Sequence, residues 1–445
     1  MADLAVIVLA AGKGERMKSS LPKVLHPVCG TAMVAHVLKA AREISPRKLI
    51  VVVGHEAEAV RAAVAAPDVT FVTQEQQLGT GHAVGLCREA VAGCGEVMVL
   101  NGDVPLIEAP LLARLWAARG ARPLAFVTAQ IADAGRLGRV ERTKRGAVRR
   151  VVEAANYRGA ELGGEINAGQ YLFDAAWLWP ALEAVAPSAS GEIYLTTLIE
   201  SAVAAKRPPA TVETSPEEVM GVDDRFKLAE AEAAMRVRIR ARHMSAGVSM
   251  MDPPTAYIDA GVTIGADAVI HANVHLQGAT AIGPGAVIGP NSVLRNATIG
   301  AACRISQSTI EESIIGDSVE VGPYAHIRGN SAIGAGSFLG NFAEVNRSRL
   351  GTGVKMHHFS YLGDATVGDR ANIAAGVITN NYDGKLKHPT VIGDDAFVGC
   401  DTMLVAPVTM GEGSQTGAGT VLKQDLPPGA LAVGVPGRII RRREE

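Results

Sequence analysis

The sequence predicts two domains of different class, a doubly wound α/β domain followed by a parallel β-helix. Three observations carry this. The first half alternates apolar, β-rich stretches with helix-like ones; from Tyr257 onward aliphatic residues recur at every sixth position; and a stretch without Gly or Pro separates the two patterns. At 445 residues the chain is also too long for one hydrophobic core.

In the first half, Leu4–Leu9, Leu49–Val53, Val69–Val72 and Glu96–Leu100 read as strands. Met33–Glu43 and Glu56–Ala65 read as helices between them, with Val34, Val37, Leu38 and Ala41 on one face of the first. Strands alternating with helices imply a parallel sheet with crossovers, whose ligands sit beyond the carboxyl ends of the strands. The loops after Leu9 and Leu100 are therefore the places to look. Phe226–Arg242 is rich in helix formers, so residues 224–246 are expected to form a helical arm between domains 1–223 and 247–445.

In the second half, Ile258, Ile264, Ile270, Leu276, Ile282, Ile288 and Leu294 are evenly spaced. The spacing slips at Ile299, Ile310 and Ile315 and resumes through Val321, Ile327, Ile333, Leu339 and Val345. No α-helix has this period. A parallel β-helix does, since each unit supplies a short strand and a turn, and three units close a triangular coil. Gly follows the aliphatic residue in Ile264-Gly265, Ile282-Gly283, Ile288-Gly289, Ile333-Gly334 and Leu339-Gly340, where a Cβ would clash at the tight corner. A β-sandwich would instead alternate with period two.

Bulk properties exclude several classes. Lys and Arg number 43 against 45 Asp and Glu, a balance that argues against nucleic-acid binding. The five cysteines, Cys29, Cys87, Cys94, Cys303 and Cys400, form no C-x-x-C pair and no His/Cys cluster, which fits a reducing cytoplasm rather than a disulfide framework or zinc site. The start lacks a basic n-region, and the apolar run Leu4–Ala11 is too short to span a bilayer, so no membrane association is expected.

After the first strand comes Ala10-Ala11-Gly12-Lys13-Gly14-Glu15-Arg16-Met17, then Leu21-Pro22-Lys23. A Gly-rich turn exposes backbone N–H groups to a phosphate, and nearby Lys and Arg add charge and forked donors. Gly-x-Gly alone is weak evidence; with Arg16, Pro22 and Lys23 it resembles the signature of sugar nucleotidyltransferases, L-A-A-G-x-G-x-R-M…P-K. The resemblance extends along the chain. Gln74 and Gln77-Leu78-Gly79-Thr80-Gly81-His82-Ala83 are similar to the segment that reads the pyrimidine, and Asn101-Gly102-Asp103 to the one with the metal aspartate. Gly138-Arg139, Glu153 and Glu165-Ile166-Asn167 match the sugar-holding segments, and Gly221-Val222-Asp223-Asp224 the segment with the second metal ligand.

From Val6 to about residue 430 the chain resembles the family of bifunctional N-acetylglucosamine-1-phosphate uridyltransferases/glucosamine-1-phosphate acetyltransferases. That resemblance implies a Rossmann-like nucleotidyltransferase domain and a left-handed hexapeptide-repeat β-helix. It also implies Mg²⁺ held by Asp103 and Asp223, with UTP bound along Leu9, Ala10, Ala11, Gly12, Lys23, Gln74, Gly79 and Thr80, and N-acetylglucosamine 1-phosphate at Gly138, Glu153 and Asn167. Arg16 and Lys23 would neutralise charge growing on the transferred and leaving groups. Two departures stand out: Asp223 replaces a frequent Asn, and Tyr194-Leu195-Thr196-Thr197 replaces Y-x-T-D.

For the second half the resemblance implies acetyl transfer from acetyl-CoA to glucosamine 1-phosphate. This needs a base for the ammonium proton and donors for the thioester oxyanion. His358, ahead of Tyr361-Leu362-Gly363-Asp364, corresponds to the family's base and has the right intrinsic acidity. Arg328 and Tyr361 would contact the sugar phosphate, and Asn372, Asn381 and Tyr382 would bracket the amine and thioester. Ala375, Cys400 and Ala418 would line the CoA groove, Cys400 as a packed residue where the family has Ser. The repeats are expected to break at His357–Tyr361 and at Thr379–Lys385. Asn346 stands where the family has a phosphate-binding Lys, a loss of about 1.5–3 kcal/mol unless Arg347, Arg349 or Lys355 compensates. That substitution leaves open a second domain acting on another amino sugar or acyl donor, or on none. A non-catalytic scaffold of this two-domain plan would have lost Arg16 and Lys23. Lys423, Arg438 and the Arg441–Arg443 run are either CoA contacts or a solvated, frayed end. Single-stack coils of this kind often trimerise, so a homotrimer is expected.

Overall fold

The computed structural model describes residues 3–188 and 191–442. The chain forms two compact units, Met1–Met235 and Arg236–Glu445.

The first unit is built around the strand Leu4–Leu9, which lies parallel between Lys48–Val53 and Glu96–Asn101. Its side chains alternate between two cores. Leu4, Val6 and Val8 pack with Val34, Val37 and Leu38 of the helix Met33–Glu43. Ala5 and Ile7 pack on the other face with Leu178 and Leu182 of the helix Ala175–Glu183. A strand buried on both faces has to be continuously apolar, as this one is. Across the sheet the order is Ala210–Thr214, Leu124–Ile131, Gly164–Asp174, Glu96–Asn101, Leu4–Leu9, Lys48–Val53, Val69–Thr73. One strand departs from the expected parallel sheet: Gly164–Asp174 is antiparallel to both its neighbours. It is entered from the hairpin Arg139–Arg142/Val148–Val152, and a hairpin-type connection returns the chain antiparallel.

The second unit is a coil of three parallel sheets in which each short strand pairs with the third strand on. Ile270 lies beside Ile288 and Ile288 beside Ile305. Leu276, Leu294 and Ile310 stack likewise, so the slipped spacing shortens a turn and leaves the stack aligned. All six are buried. The glycines allow successive turns to touch: a Cβ on Gly283 would lie 2.5 Å from the carbonyl carbon of Gly300, and one on Gly340 1.9 Å from the carbonyl oxygen of His357.

Two expectations about the coil are corrected. It does not break at His357–Tyr361; Lys355–Met356 and Ser360–Gly363 keep register with the preceding turn, because the histidines occupy an ordinary corner. The excursion is real but later, since Thr379 and Asn380 are still strand and the loop runs from 381 to 389. The basic end is not frayed where described: Arg438–Arg442 pairs antiparallel with Ala430–Val433, while Arg443 lies outside the described residues.

The expected arm is the helix Arg225–Ser245, and the division between the units falls within it. Among the described residues no helix is long and apolar enough to cross a membrane.

Gly283→Ala forces a methyl group into the backbone of the next turn. It should lower stability by about 1–3 kcal/mol, read as a lower midpoint of thermal or urea unfolding.

Candidate active sites

In the first unit the two loops singled out by the sheet are joined directly. The Gly102 N–H donates to the Leu9 carbonyl at 2.9 Å, and the Ala10 N–H to that of Val52 at 2.8 Å. Gly14 turns with φ of +63°, and a Cβ there would lie 2.5 Å from Cβ of Lys23. Glycine thus lets the chain that carries Lys23 fold against the turn. Lys23 donates to Asp103 and Arg16 to Asp223. The Val222 N–H donates to the Asp103 carbonyl at 2.9 Å, bringing the two aspartates' segments together.

Leu9, Ala11, Gly12, Lys23, Gln74, Gly79, Thr80 and Asp103 line one cavity of about 330 Å³; Ala10 is buried behind it. Buried Gln74 donates to the Gly79 carbonyl at 3.2 Å, and Gly79 itself turns with φ of +94° against the Ile193 carbonyl. A second cavity, of about 460 Å³, contains Glu153, Tyr194, Thr196 and Thr197. The Thr196 hydroxyl donates to Glu153 at 2.7 Å. Asn167 N–H donates to the Gly138 carbonyl at 2.9 Å, and a Cβ on Gly138 would lie 3.5 Å from Oε2 of Glu153, so these three predicted residues also meet. The Asn167 amide donates to the Tyr171 phenol at 2.6 Å, and burial pushes that phenol's pKa up, keeping it neutral.

Asp103 and Asp223 suit a hard divalent cation, because both offer carboxylate oxygens and both are partly exposed. No group of three or more His, Cys, Asp or Glu that could hold a metal ion by itself occurs among the described residues. The protein would supply two donors, and phosphate oxygens and water the rest.

In the second unit, Ala375, Cys400 and Ala418 stack at one corner of the coil, and His358 lies at the same corner one turn earlier, where the Gly376 N–H donates to the carbonyl of the next residue, Phe359, at 2.7 Å. Each lies two residues beyond the stacked positions Met356, Ile373, Val398 and Thr416. The Asp401 N–H donates to the Ala375 carbonyl and the Gly419 N–H to the Cys400 carbonyl, both at 2.8 Å. His358, Cys400 and Ala418 are exposed, which corrects the reading of Cys400 as packed: its corner faces outward. His357 stacks on Phe338 with centroids 4.4 Å apart, and both His357 and His358 are exposed.

Around the corner, Arg328, Asn346 and Gly363 stack in register, with Tyr361 on the strand of Gly363. Arg328 is paired with Glu344 at 2.6 Å. Asn346 is buried, and its Oδ1 accepts from Arg347 at 3.3 Å. Arg347 grips Asp364 through two hydrogen bonds of 2.7 and 2.9 Å, and Asn381 donates to the same carboxylate at 2.5 Å. The Arg347 guanidinium holds the Asp364 carboxyl below the usual carboxylate range. Asn372 sits between Lys355 and Phe397 on the first sheet, and Tyr382 is exposed on the excursion, its hydroxyl donating to the Gly384 carbonyl at 2.7 Å.

Residues 6–203 match the MobA-like NTP transferase domain family. Residues 261–296 and 312–347 match the six-repeat bacterial transferase hexapeptide family, and 389–424 the hexapeptide repeat of succinyl-transferase. Over its length the chain is 45% identical to the bifunctional protein GlmU of Exiguobacterium sp., across 96% of each chain. The chain belongs to the GlmU family. GlmU of Brevibacillus brevis is 43% identical over 97% of this chain and 95% of that one, and GlmU of Anaeromyxobacter sp. 44% over 99% and 93%. The coil is accordingly the left-handed β-helix of hexapeptide repeats.

In this GlmU-family chain the sequence reading missed Glu192 on the 330 Å³ cavity, and it named Arg347, Asp364 and Asn381 without joining them into one cluster. Glu192, two residues before Tyr194 of the altered Y-x-T-D segment, was within reach of that motif; the cluster joins residues far apart in sequence and had no local signal.

Because the folded Asp364 carboxyl titrates below its unfolded value of about 4, its contribution is present above that pH and is lost as pH falls through the folded value. Asp364→Asn should therefore flatten the acid side of the coil's stability profile, measured by urea unfolding between pH 7 and pH 3.

Proposed function

We propose that this chain makes UDP-N-acetylglucosamine in two steps: acetyl transfer from acetyl-CoA to glucosamine 1-phosphate in the coil, then uridylyl transfer from UTP to N-acetylglucosamine 1-phosphate in the α/β unit. The observation that carries this reading is the match to bifunctional relatives along the whole chain, which includes both folds. The transferase domains are assigned to 1–223 and 247–445, with 224–246 as the arm.

In uridylyl transfer the sugar-phosphate oxygen attacks the α-phosphorus of UTP and pyrophosphate leaves. Both reactants are anionic and repel. Mg²⁺, assigned to Asp103 and Asp223, supplies charge neutralisation between them when bound. Lys23 and Arg16 are paired with these aspartates, which holds both cationic donors beside the two carboxylates before substrate enters. As negative charge develops on the phosphates, preset donors stabilise it with little reorganisation. Gln74, with the backbone of Gly79 and Thr80, is assigned to uracil, and Gly138, Glu153 and Asn167 to the acetylated sugar.

In acetyl transfer the amine attacks the thioester carbonyl and the CoA thiol leaves. His358 is assigned as the base that takes the ammonium proton. Its place at the corner shared with Ala375, Cys400 and Ala418 supports setting the pantetheine arm along that corner. Arg328, Asn346, Tyr361, Asn372, Asn381 and Tyr382 are assigned to the acceptor. Asn346 is reached only indirectly, through Arg347. Outward-facing His358 at the coil's corner suits a site completed by a neighbouring copy, so the assembly is assigned as a homotrimer, working in the cytoplasm.

Thiol release from acetyl-CoA with glucosamine 1-phosphate, followed by pyrophosphate release on adding UTP, tests the assignment. No thiol release, with pyrophosphate still formed from supplied N-acetylglucosamine 1-phosphate, would show that the coil has changed substrate.

Asp103→Ala should abolish pyrophosphate release and leave thiol release intact; normal pyrophosphate release by that variant would remove the metal assignment. His358→Ala should do the reverse, lowering thiol release about 10²–10⁴-fold.

A further inference from the structure

The helix Arg225–Ser245 reads from sequence as an arm, yet its first turns are bound to the segment that carries Arg16 and Lys23. Arg225 Nε donates to the Met17 carbonyl at 3.2 Å, and its Nη1 lies 3.3 Å from Nδ1 of His26. One guanidinium thus touches the chain on both sides of Lys23. Two turns along, the Glu232 carboxylate accepts from the Cys29 N–H at 2.5 Å. Val28, Met33, Leu106, Val222 and Ala231 close an apolar cluster under the same contact. Met17 and His26 are buried, while Arg16 and Lys23 reach the aspartates. The segment between them contains two short 3₁₀ turns, Glu15–Met17 and Lys23–Leu25, and its strand pairing begins only at Pro27–Val28. Without a sheet partner, its geometry depends on what grips it from outside.

We propose that Arg225 is a positioning residue for nucleotidyl transfer, fixing the Met17–His26 segment so that Lys23 and Arg16 stand where charge develops on the phosphates. The inference rests on the uridylyl-transfer reading and deepens it. Arg225 touches no substrate in this scheme. Its planar fork spans two acceptors at once, which a single ammonium cannot do with the same rigidity. Misplacing a charged donor by about 1 Å can cost about 10²-fold in rate.

The test compares wild type, Arg225→Met, Arg225→Lys and Lys227→Met in the full-length protein. Lys227 is a control on the same turn, its side chain paired with Glu230 at 2.7 Å. The measurements are pyrophosphate release, thiol release, and the stoichiometry of Mg-UTP binding by calorimetry. The expected result for Arg225→Met is a kcat for pyrophosphate release lower by about 10- to 100-fold. KM for both substrates, UTP stoichiometry and thiol release should be unchanged, Arg225→Lys should recover part of the rate, and Lys227→Met should match wild type. An Arg225→Met protein with wild-type kcat would overturn the proposal. So would a loss of kcat matched by an equal loss of UTP-binding sites, which would mark a folding role. Wild-type protein that forms no pyrophosphate would instead overturn the uridylyl-transfer reading beneath it.

Discussion

Parallel pairing places equivalent ends of neighbouring strands side by side, and both units depend on it. In the α/β unit, Leu4–Leu9 and Glu96–Asn101 run the same way, so the loops that leave them emerge at one edge and bond to each other through Leu9 and Gly102. The Gly-rich turn and Asp103 therefore emerge side by side at that edge. In the coil the same rule acts along a longer axis. Residues two beyond the stacked inward positions fall at one corner, which brings His358, Ala375, Cys400 and Ala418 to the same corner although they are scattered in sequence.

Charge is distributed differently at the two sites. The α/β unit holds these carboxylates and cations as pairs, Lys23 with Asp103 on the 330 Å³ cavity and Arg16 with Asp223, all partly open to solvent. Partly exposed pairs of this kind are worth little in stability and can exchange partners when a polyphosphate arrives. In the coil, Arg347 is instead tied to Asp364 by a two-pronged contact with Asn381 behind it. That guanidinium is oriented before any ligand is present, a different solution from a mobile lysine ammonium.

The sequence made the architecture legible wherever one local rule repeats. The six-residue aliphatic period revealed the coil, and the glycines after it are confirmed as points of backbone contact. The nucleotide-loop residues were legible because a turn, a lysine and an arginine fall within a short stretch. Three things were hidden. The antiparallel strand Gly164–Asp174 depends on where a hairpin lies, which no strand pattern records. The regular corner at His357–Tyr361 looked like a break because aromatic and polar residues occupied outward positions whose direction only the register reveals. The outward placement of Cys400 was hidden too, since apolar neighbours in sequence do not say which way a corner residue points.

The excursion between Asn380 and Thr390 leaves the coil and rejoins it with Ala365 beside Thr390 and Val367 beside Ile392, as if nothing intervened. Its own fold is closed by short contacts: His388 N–H to the Asn381 carbonyl at 2.8 Å, and the His388 imidazole to Asp383 at 2.7 Å. Such a segment behaves as a cassette. Its length and composition can be rewritten without altering the pitch of the turns above and below, because a longer surface loop costs little closure entropy. The coil can therefore change the surface it presents at one corner while the turns above and below stay constant.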